Sequence, residues 1–474
     1  MVSKENEKRI DEWIDAHKDE YLSDLAKLIE VPSVAKPGIT PGEYPFGENS
    51  AKALAAAKAL VESYGFEAEN RDNFCIVAHA GTGDEKVGIF GHLDVVPVSD
   101  DWTYPPFKLT VEGDYIRGRG VIDDKGPILA TVYSVRCLKE LGLLPKREIE
   151  IFMGGDEECG MEDIEHYKAT SEKLPVVSLS PDADYPLCHG EKGIMWFYIN
   201  IPNENSNLVK ITGGTVKNIV PGYTEAFFKT DDVQAAIKEF DGMERIEATE
   251  EDGMLKIAAT GSPIHSSFPD KGVNAIGVLA NAVLKTNVAN EGAKKTLEFL
   301  SMVNKDCHGA ALGVAIEDEP SGKLTHVGGV VKTLDDGRVN LSIDIRYPVT
   351  FNGDEVFGMI KEYLGGFGVE LVDYSDSKPI YIPADSDFVK MCMKSIDEIF
   401  HRDEWKPYTM GGGTYARRLK NAFALGPDDP QNRSPFDLYH GSIHQPDESM
   451  SIDRLMKTAK LYARLLINFD DLEF

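Results

Sequence analysis

Five separate stretches of this 474-residue chain carry histidines and carboxylates that could act together on metal ions. The first, G-H-L-D at 91–94, ends an apolar strand predicted from Val87 to Leu93. Residues two apart on a strand share a face, so His92 and Asp94 can point into one cleft. A carboxylate beside a ligating histidine can also fix its second ring nitrogen. Taken alone, a pair of this kind is more often an ordinary surface or capping pair.

The second stretch, G-R-G-V-I-D-D-K-G at 118–126, presents two adjacent acids before a helix predicted from Pro127 to Leu141. The glycines around these acids indicate a tight turn that displays a carboxylate. The simpler alternative is that Asp124 caps the helix, but a cap does not explain the glycines that precede it. A dinucleotide-binding glycine motif is not matched, because Asp123 stands where its third glycine belongs.

The third stretch, G-G-D-E-E-C-G at 154–160, follows an apolar strand predicted to end at Met153. Three consecutive acids at the end of a buried strand repel one another unless a cation compensates them. A solvated acidic loop explains this stretch equally well when it is considered alone.

The last two stretches are S-P-D-A-D at 180–184 and H-Q-P-D-E at 444–448, with His440 close to the second. The first of them follows another apolar strand, and loops at the carboxyl ends of strands are where α/β sheets build their sites. Together, the five stretches offer two histidines and three carboxylates, which suit two divalent cations about 3.5–4 Å apart. The adjacent acids Glu157 and Glu158 can supply one ligand and one general base.

Hydrophobic periodicity predicts the elements that must position these residues. An amphipathic helix is predicted from Ile10 to Ile29, and helical patterns then alternate with short apolar strands, as in an α/β domain. Strand-like runs dominate between 191 and 383, which is typical of a separate α+β domain. We therefore predict a discontinuous α/β domain, formed by 1–190 and 384–474, with a second domain inserted at 191–383.

Charge and cysteine usage limit the function classes. Lys and Arg number 50 against 79 Asp and Glu, which gives a formal charge of −29. A surface this acidic argues against nucleic acid and anionic membranes as partners. The six cysteines show no C-x-x-C spacing, the N-terminus has no apolar signal region, and no stretch approaches a membrane span. We therefore predict a cytoplasmic protein.

The five stretches resemble the signature segments of the co-catalytic metallopeptidases, a family that includes aminoacylase, carboxypeptidase G and the bacterial dipeptidase PepV. The segments occur in the same order and at similar intervals, over essentially the whole chain. The run G-G-G-T-Y-A-R at 411–417 and the length of the insert are most similar to the PepV branch. The resemblance implies a zinc-peptidase-like catalytic domain with a mixed sheet flanked by helices, plus an inserted α+β lid domain.

The resemblance also implies a ligand set for two ions. One ion would be held by His92, Asp123 and Asp182, and the other by Asp123, Glu158 and His444, with Asp123 bridging. Two nearby residues remain competitors, Asp184 for Asp182 and His440 for His444. The bond between Asp123 and Asp124 is commonly cis in this family. Zinc is the default metal, and manganese or cobalt fit the same ligands.

Further residues receive roles by the same resemblance. Glu157 would be the general base, and Asp94 would orient His92. In the inserted domain, His265 of G-S-P-I-H would reach the oxyanion, while Asn218 and Arg346 would contact the substrate. Without the resemblance, a surface histidine in a Ser/Pro turn is the preferred interpretation of His265. A rim salt bridge explains Arg346 equally well.

The glycines at 411–413 precede a helix predicted to start near Thr414. Backbone N–H groups at a helix start suit a carboxylate, so we predict that Gly412, Gly413 and Thr414 bind the free C-terminal carboxylate of a dipeptide. Relatives with lids of about half this size take the lid histidine from a partner subunit. Because the longer insert can supply it within one chain, we predict that a monomer is sufficient for catalysis.

The function predicted from the sequence is therefore a metal-dependent dipeptidase acting on small peptides. An aminoacylase or desuccinylase of the same family is the first alternative, because it would share every metal residue. A metal-binding protein without catalysis is the second, but such a protein has no need of a base such as Glu157. A two-metal phosphoesterase is the third, and the overall acidity argues against it.

Overall fold

The computed structural model of the protein describes residues 1–40, 42–429 and 440–474. The α-helices are α1 (Lys4–Ala16), α2 (Lys18–Ile29), α3 (Glu48–Ser63), α4 (Lys125–Leu141), α5 (Glu162–Thr170), α6 (Val233–Lys238), α7 (Ala275–Val283), α8 (Glu291–Val303), α9 (Gly353–Gly365), α10 (Asp387–Phe400) and α11 (Ile452–Asn468). The strands are β1 (Glu67–Arg71), β2 (Cys75–Ala80), β3 (Lys86–His92), β4 (Thr110–Glu112), β5 (Tyr115–Arg117), β6 (Glu148–Gly154), β7 (Val177–Ser180), β8 (Ala183–Asp184), β9 (Cys188–Glu191), β10 (Gly193–Ile201), β11 (Leu208–Gly213), β12 (Tyr223–Phe228), β13 (Ile246–Glu251), β14 (Met254–Thr260), β15 (Glu317–Asp318), β16 (Gly322–Lys323), β17 (Thr325–Thr333), β18 (Val339–Tyr347), β19 (Glu370–Ser377), β20 (Ile380–Tyr381), β21 (Tyr408–Met410), β22 (Ala422–Ala424), β23 (Pro427–Asp428) and β24 (Ser449–Ser451).

The chain divides into two compact units. The first unit contains Met1–His189, Ile382–Tyr408 and Gly413–Phe474. The second contains Gly190–Tyr381 and the short segment Thr409–Gly412. The sequence-based boundaries after 190 and 383 lie one and two residues beyond the points where the chain enters and leaves the second unit. No sequence pattern indicated the 409–412 segment.

The first unit is built on a mixed sheet in the order β1-β2-β6-β3-β7-β22-β9. The central strands β6, β3, β7 and β22 run parallel, whereas β1, β2 and β9 pair antiparallel with their neighbours. Residues 87–92 of β3 and 149–154 of β6 are buried, as expected for strands that are covered on both faces. The carboxyl ends of the parallel strands therefore meet at one edge of the sheet.

Helix α4 is the central helix of this unit. It is buried over most of its length and contacts α1, α2 and α11. The single helix predicted from Ile10 to Ile29 is wrong, because the chain forms α1 and α2 with a break at His17. The His17 ring stacks on the Trp13 ring at 3.7 Å, and its Nδ1 lies 2.7 Å from the Trp13 carbonyl oxygen, so the turn closes locally.

The second unit is an antiparallel sheet with helices packed on it. The eight strands follow the order β13-β14-β12-β11-β17-β18-β10-β19. Helix α7 contacts β12 and β14, α9 contacts β19, and the unit has its own apolar core, which includes Ile199, Ile257, Leu279, Leu297 and Leu341. The predicted fold class, an α/β catalytic fold together with an α+β lid fold, is confirmed. Within the described ranges, no helix has the length and apolar character that crossing a bilayer requires.

Candidate metal centre

The edge formed by the parallel strands of the first unit carries most of the candidate ligands. Strand β3 ends at His92, β6 ends four residues before Glu158, and β7 ends two residues before Asp182. Because β6, β3 and β7 are parallel neighbours, these side chains follow strand ends at the same edge. This is the edge at which α/β sheets place their sites.

The first ligand group consists of His92, Asp123 and Asp182. His92 Nε2 lies 2.8 Å from Asp123 Oδ1 and 3.9 Å from Asp182 Oδ2. The candidate ligand atoms of the three residues all lie within 4.8 Å of one another. This spacing leaves room for one cation with short bonds to nitrogen and oxygen.

The second group consists of Asp123, Glu158 and His444. His444 Nε2 lies 2.9 Å from Asp123 Oδ2 and 3.3 Å from Glu158 Oε1. Asp123 therefore belongs to both groups and turns one oxygen toward each histidine. A carboxylate in this position can bridge two cations.

Two buried atoms of the centre are suited to bind cations. His92 Nε2 and Glu158 Oε1 are buried without a hydrogen-bond partner, although each has an ion-pairing neighbour within 3.3 Å. The His92 Nδ1 atom lies 3.0 Å from the main-chain oxygen of Asp94, which can only accept a hydrogen. In the neutral ring Nδ1 therefore carries the hydrogen, and this tautomer directs the Nε2 lone pair at the ligand group.

Charge interactions in the centre lower the pKa of Asp123 and raise the pKa values of the two histidines. Burial would raise the pKa of Asp123, but His444 and His92 hold it well below its usual range. Burial would lower the pKa of His444, but Asp123 and Glu158 raise it to about 11. The pKa of His92 is raised well above its usual value, because Asp123 and Asp94 outweigh its burial. The carboxylates thus favour positive charge at both histidines.

The remaining acids of the centre hold protons more tightly than usual. Burial, which is the largest cause, and the neighbouring charge of Asp123 together raise the pKa of Asp182 to about 7. Burial and Asp182 raise the pKa of Glu157 well above its usual value. Burial and Asp123 also raise the pKa of Glu158. A cluster of carboxylates with raised pKa values is what a cation at this position would neutralise.

Asp94 has a wider role than the sequence indicated. Its Oδ1 lies 3.4 Å from His92 Nδ1, so the carboxylate and the main-chain oxygen of Asp94 both face the ring. The same Oδ1 accepts the backbone N–H of Glu157 at 3.1 Å, and Oδ2 accepts that of Glu158 at 3.1 Å. One carboxylate therefore fixes a histidine and the backbone of the acidic pair.

Asp124 stands at the N-cap position of α4, but its side chain does not cap the helix. Instead, Asp124 Oδ2 accepts the backbone N–H of His92 at 3.1 Å. The helix-cap alternative is therefore wrong for the side chain, because the buried N–H at the end of β3 takes the carboxylate. The Asp123–Asp124 peptide bond is cis, as the resemblance implied.

The two competing residues lie in other contacts. The Asp184 backbone N–H donates to the Tyr408 hydroxyl at 3.0 Å. The His440 Nδ1 lies 2.9 Å from Asp447 Oδ2. Among the described residues, the two groups around Asp123 contain neither Asp184 nor His440.

Another histidine cluster, His79 with Glu148 and Glu150, also has ligand-like spacing. His79 Nδ1 lies 2.8 Å from Glu148 Oε1, and Lys86 Nζ lies 2.7 Å from Glu150 Oε2. An ammonium group already compensates this cluster. It is a network of side chains across neighbouring strands.

The sequence did not indicate a role for Asp163, whose carboxylate binds the backbone of the acidic loop. Asp163 Oδ2 accepts the backbone N–H groups of Gly155 at 2.8 Å and Asp156 at 2.9 Å, and it also accepts the hydroxyl of Tyr415. The Tyr415 ring lies edge-on to the His92 ring, with centroids 6.4 Å apart. The contact with Tyr415 joins residues that are 252 positions apart in the chain, so no local pattern signals it.

The second unit brings together several residues for which a substrate role was predicted. The main-chain carbonyl of Asn218 accepts the backbone N–H of Ser266 at 2.9 Å, and Ile219 forms a β-bridge with His265. The His265 side chain is exposed, and its Nδ1 accepts the backbone N–H of Ser267 at 3.3 Å. Asn218 and His265 therefore lie on two paired segments.

Arg346 lies close to the same segments and is held on several sides. Its Nε and Nη2 donate to Asp344 at 2.8 Å and 3.2 Å, and its Nη1 donates to the Gly411 carbonyl at 2.9 Å. A Cβ placed on Gly411 would lie 2.7 Å from Ser267 Oγ, so this turn packs against the segment that carries His265. Gly412 belongs to this unit as well.

The helix predicted to start near Thr414 is wrong. The chain forms a four-residue 3-10 helix, Tyr415–Arg418, and Leu419 then continues in extended backbone. Thr414 is buried and its Oγ1 accepts the backbone N–H of Ala416 at 3.1 Å, while the Arg417 guanidinium packs against Gly413. The peptide dipoles of four residues are too few to produce the positive helix end that was expected to bind the substrate carboxylate.

The sequence profile described as Peptidase family M20/M25/M40 matches residues 88–468. The Beta-Ala-Xaa dipeptidase of Lactobacillus delbrueckii subsp. lactis is 31% identical over 475 residues, which cover 96% of this chain and 97% of that protein. Both matches include all five motif segments of the metal centre.

Solved structures share the fold at low sequence identity. The dipeptidase Dug1p from Saccharomyces cerevisiae superposes with a TM-score of 0.58 at 14% identity, covering 99% of each chain. Human carnosine dipeptidase 1 superposes with a TM-score of 0.55 at 16% identity, covering 98% of this chain and 100% of that one. At these identities the likeness concerns the fold.

Proposed function

The chain belongs to the peptidase family M20/M25/M40, and we propose that it is a metal-dependent dipeptidase that hydrolyses the amide bond of dipeptides with a free C-terminal carboxylate. The observation that carries this proposal is Asp123, whose two oxygens lie 2.8 Å and 2.9 Å from two different histidines. The full-length similarity to a Beta-Ala-Xaa dipeptidase supports a dipeptide substrate.

The cofactors in this proposal are two divalent ions. His92, Asp123 and Asp182 would hold one ion, and Asp123, Glu158 and His444 the other. Zinc suits this mixture of imidazole and carboxylate ligands, and manganese or cobalt are accepted by the same ligand types. When bound, the ions would supply Lewis acidity that lowers the proton affinity of the attacking water and polarises the scissile carbonyl.

Glu157 is the general base in this proposal. Burial and the neighbouring acids raise the pKa of its carboxyl well above the usual value, so it can accept a proton from water and later transfer it to the leaving amine. Asp94 keeps the base in place, because its Oδ1 accepts the Glu157 backbone N–H. The adjacent Glu158 is left to act as a ligand.

The second unit supplies the remaining substrate contacts in this proposal. The exposed side chain of His265 would donate to the oxyanion of the tetrahedral intermediate. Asn218, Arg346 and the backbone of Gly412 would contact the substrate, whereas Gly413 and Thr414 would act through the turn that they form. Support comes from the pairing of the segments that carry Asn218 and His265 and from the hydrogen bond between Arg346 and Gly411.

We also infer a cytoplasmic location and a monomer that is sufficient for catalysis. None of the six cysteines, all of which lie within the described residues, forms a disulfide, as in a reducing compartment. Cell fractionation that recovered the protein outside the cytoplasm would contradict the location. A mixture of inactive His265→Ala and Asp182→Asn chains should stay inactive. Recovery of activity in the mixture would show that one chain lends its histidine to another and would contradict the monomer.

The direct test of the function is a panel of small amides supplied to the purified protein with its metal content measured. We expect unblocked dipeptides to be cleaved, and N-acyl amino acids and C-terminally amidated dipeptides to be cleaved poorly. Hydrolysis of N-acyl amino acids without hydrolysis of any unblocked dipeptide would replace the dipeptidase assignment with an acylase or desuccinylase. Absence of hydrolysis by metal-loaded protein would leave a metal-binding protein without catalysis.

A further inference from the structure

We propose that Glu448 is a positioning residue that, together with Arg119, holds Asp123 and His444 in the arrangement through which one carboxylate serves both ion sites. This inference rests on the two-ion centre proposed above. Glu448 is the last residue of the H-Q-P-D-E stretch, in which the sequence indicated a role only for the histidine. It is fully buried, and it does not belong to either ligand group.

The Glu448 carboxylate organises the turn that carries Asp123. Its Oε1 accepts three backbone N–H groups, those of Gly120 at 3.0 Å, Ile122 at 2.8 Å and Asp123 at 3.3 Å. The three groups converge because Gly120 has φ +95°, in the left-handed region that favours glycine. Three N–H groups of one turn thus surround a single anion, so the glycine-rich turn is shaped around this carboxylate.

Arg119 extends the contact to His444, at the start of the same stretch, and to the segment that carries Pro97. Its Nη1 donates to Glu448 Oε2 at 2.7 Å, and its Nη2 lies 3.4 Å from the carbonyl oxygens of Pro97 and His444. The Arg119 side chain is 2% exposed. The Glu448 main-chain oxygen, in turn, accepts the backbone N–H of Gly118 at 3.0 Å.

These contacts fix the position of Asp123 relative to His444, on which both ion sites depend. His444 lies four residues before Glu448, and the Arg119 guanidinium touches both of them. Asp123 is the only residue shared by the two ligand groups among the described residues. A shift of the Asp123 backbone would therefore misplace one ligand of each ion, whereas the loss of Asp182 would affect one ion only.

The test is a zinc titration of metal-free protein by calorimetry, supported by competition with a chromogenic chelator. We expect Glu448→Gln to weaken the affinity for both ions together, by about 10- to 100-fold. The comparison variant, Asp182→Asn, should weaken one ion and leave the other close to wild type. At saturating zinc, Glu448→Gln should lower kcat and leave KM nearly unchanged, because it does not touch substrate.

Asp447→Asn is the matched control. Asp447 is also a buried carboxylate, and its Oδ1 accepts the backbone N–H groups of Thr103 and Tyr104, away from the ligand groups. We expect its zinc titration to stay within about twofold of wild type even if its thermal stability falls. Thermal melting and circular dichroism of the metal-free forms show whether each variant is folded.

A second pair of variants keeps the test decisive if Glu448→Gln does not fold. Arg119→Met should weaken both ions, and Arg119→Lys should restore part of the affinity. Wild-type zinc affinity in Glu448→Gln, or in Arg119→Met when Glu448→Gln is unfolded, would overturn the positioning role. Failure of the wild-type chain to bind zinc would instead contradict the proposed two-ion centre itself.

Discussion

Asp94 Oδ2 accepts the backbone N–H of Glu158 at 3.1 Å. This hydrogen bond connects the segment that follows β3 with the acidic loop that follows the neighbouring strand β6. The other oxygen of the same carboxylate accepts the Glu157 N–H and also faces His92. The general base and two ligands of the proposed centre thus depend on one buried side chain.

Asp94→Asn should therefore lower kcat/KM by about 10- to 100-fold, since an amide can accept only one of the two N–H groups and turns an NH2 toward the other. Steady-state kinetics on a dipeptide at saturating zinc measures the effect. Asp100→Asn, an exposed acid on the same connection, should leave kcat/KM unchanged. Equal kinetics for the two variants would show that the contacts of Asp94 do not matter for catalysis.

Glu157→Gln should reduce kcat by about 10²- to 10⁴-fold, because the amide can neither accept a proton from water nor return one to the amine. The metal content of the variant, measured by mass spectrometry, should equal that of wild type. Glu162→Gln, an exposed acid at the start of α5, is the control and should keep its activity. Turnover close to wild type by Glu157→Gln with metal retained would refute the base assignment.

Asp182→Asn and Asp184→Asn separate the two candidates of the fourth motif. The Asp182 carboxylate lies 3.9 Å from His92 Nε2, so its loss should reduce bound zinc from two ions per chain to one. Asp184→Asn should retain two ions. The reverse result would move the ligand to Asp184.

The pH dependence of kcat/KM should reflect the environment of Glu157. The base must be ionised, so the rate falls as the pH drops through its pKa, which burial and Asp182 raise above the ordinary 4.5. Bound cations favour the ionised form of a neighbouring carboxyl and burial opposes them, so we expect the acid limb to be present in the metal-saturated wild type and lost from the residual activity of Glu157→Gln. An acid limb that is unchanged in Glu157→Gln would show that another group titrates.

The sequence indicated those features of the fold and the centre that depend on local patterns. An apolar strand that contains His92, a second one that ends shortly before Glu158 and a helix that follows Asp123 are visible from periodicity, and the structure contains them. The acids and histidines of the motifs are likewise visible as residue types. Their distances from one another are not, because these follow from the order of β6, β3 and β7 in the sheet.

The features missing from the sequence analysis depend on contacts between distant segments. Residues 415–419 are acceptable helix formers, but the Tyr415 hydroxyl is bound to the buried Asp163, and the chain leaves the helical conformation after one 3-10 turn. Asp124 has the residue type of a helix cap, yet its carboxylate accepts the His92 N–H. In each case a buried tertiary partner outweighs the local preference.

The most direct test of the central claim is the titration of metal-free protein with zinc while dipeptide hydrolysis is followed. Protein stripped by a chelator should be inactive, and activity should return to a plateau at two equivalents of zinc per chain. His92→Ala and His444→Ala chains should not recover at those concentrations. Full activity in the stripped protein, or recovery that does not depend on these histidines, would contradict a centre built on the two ligand groups that share Asp123.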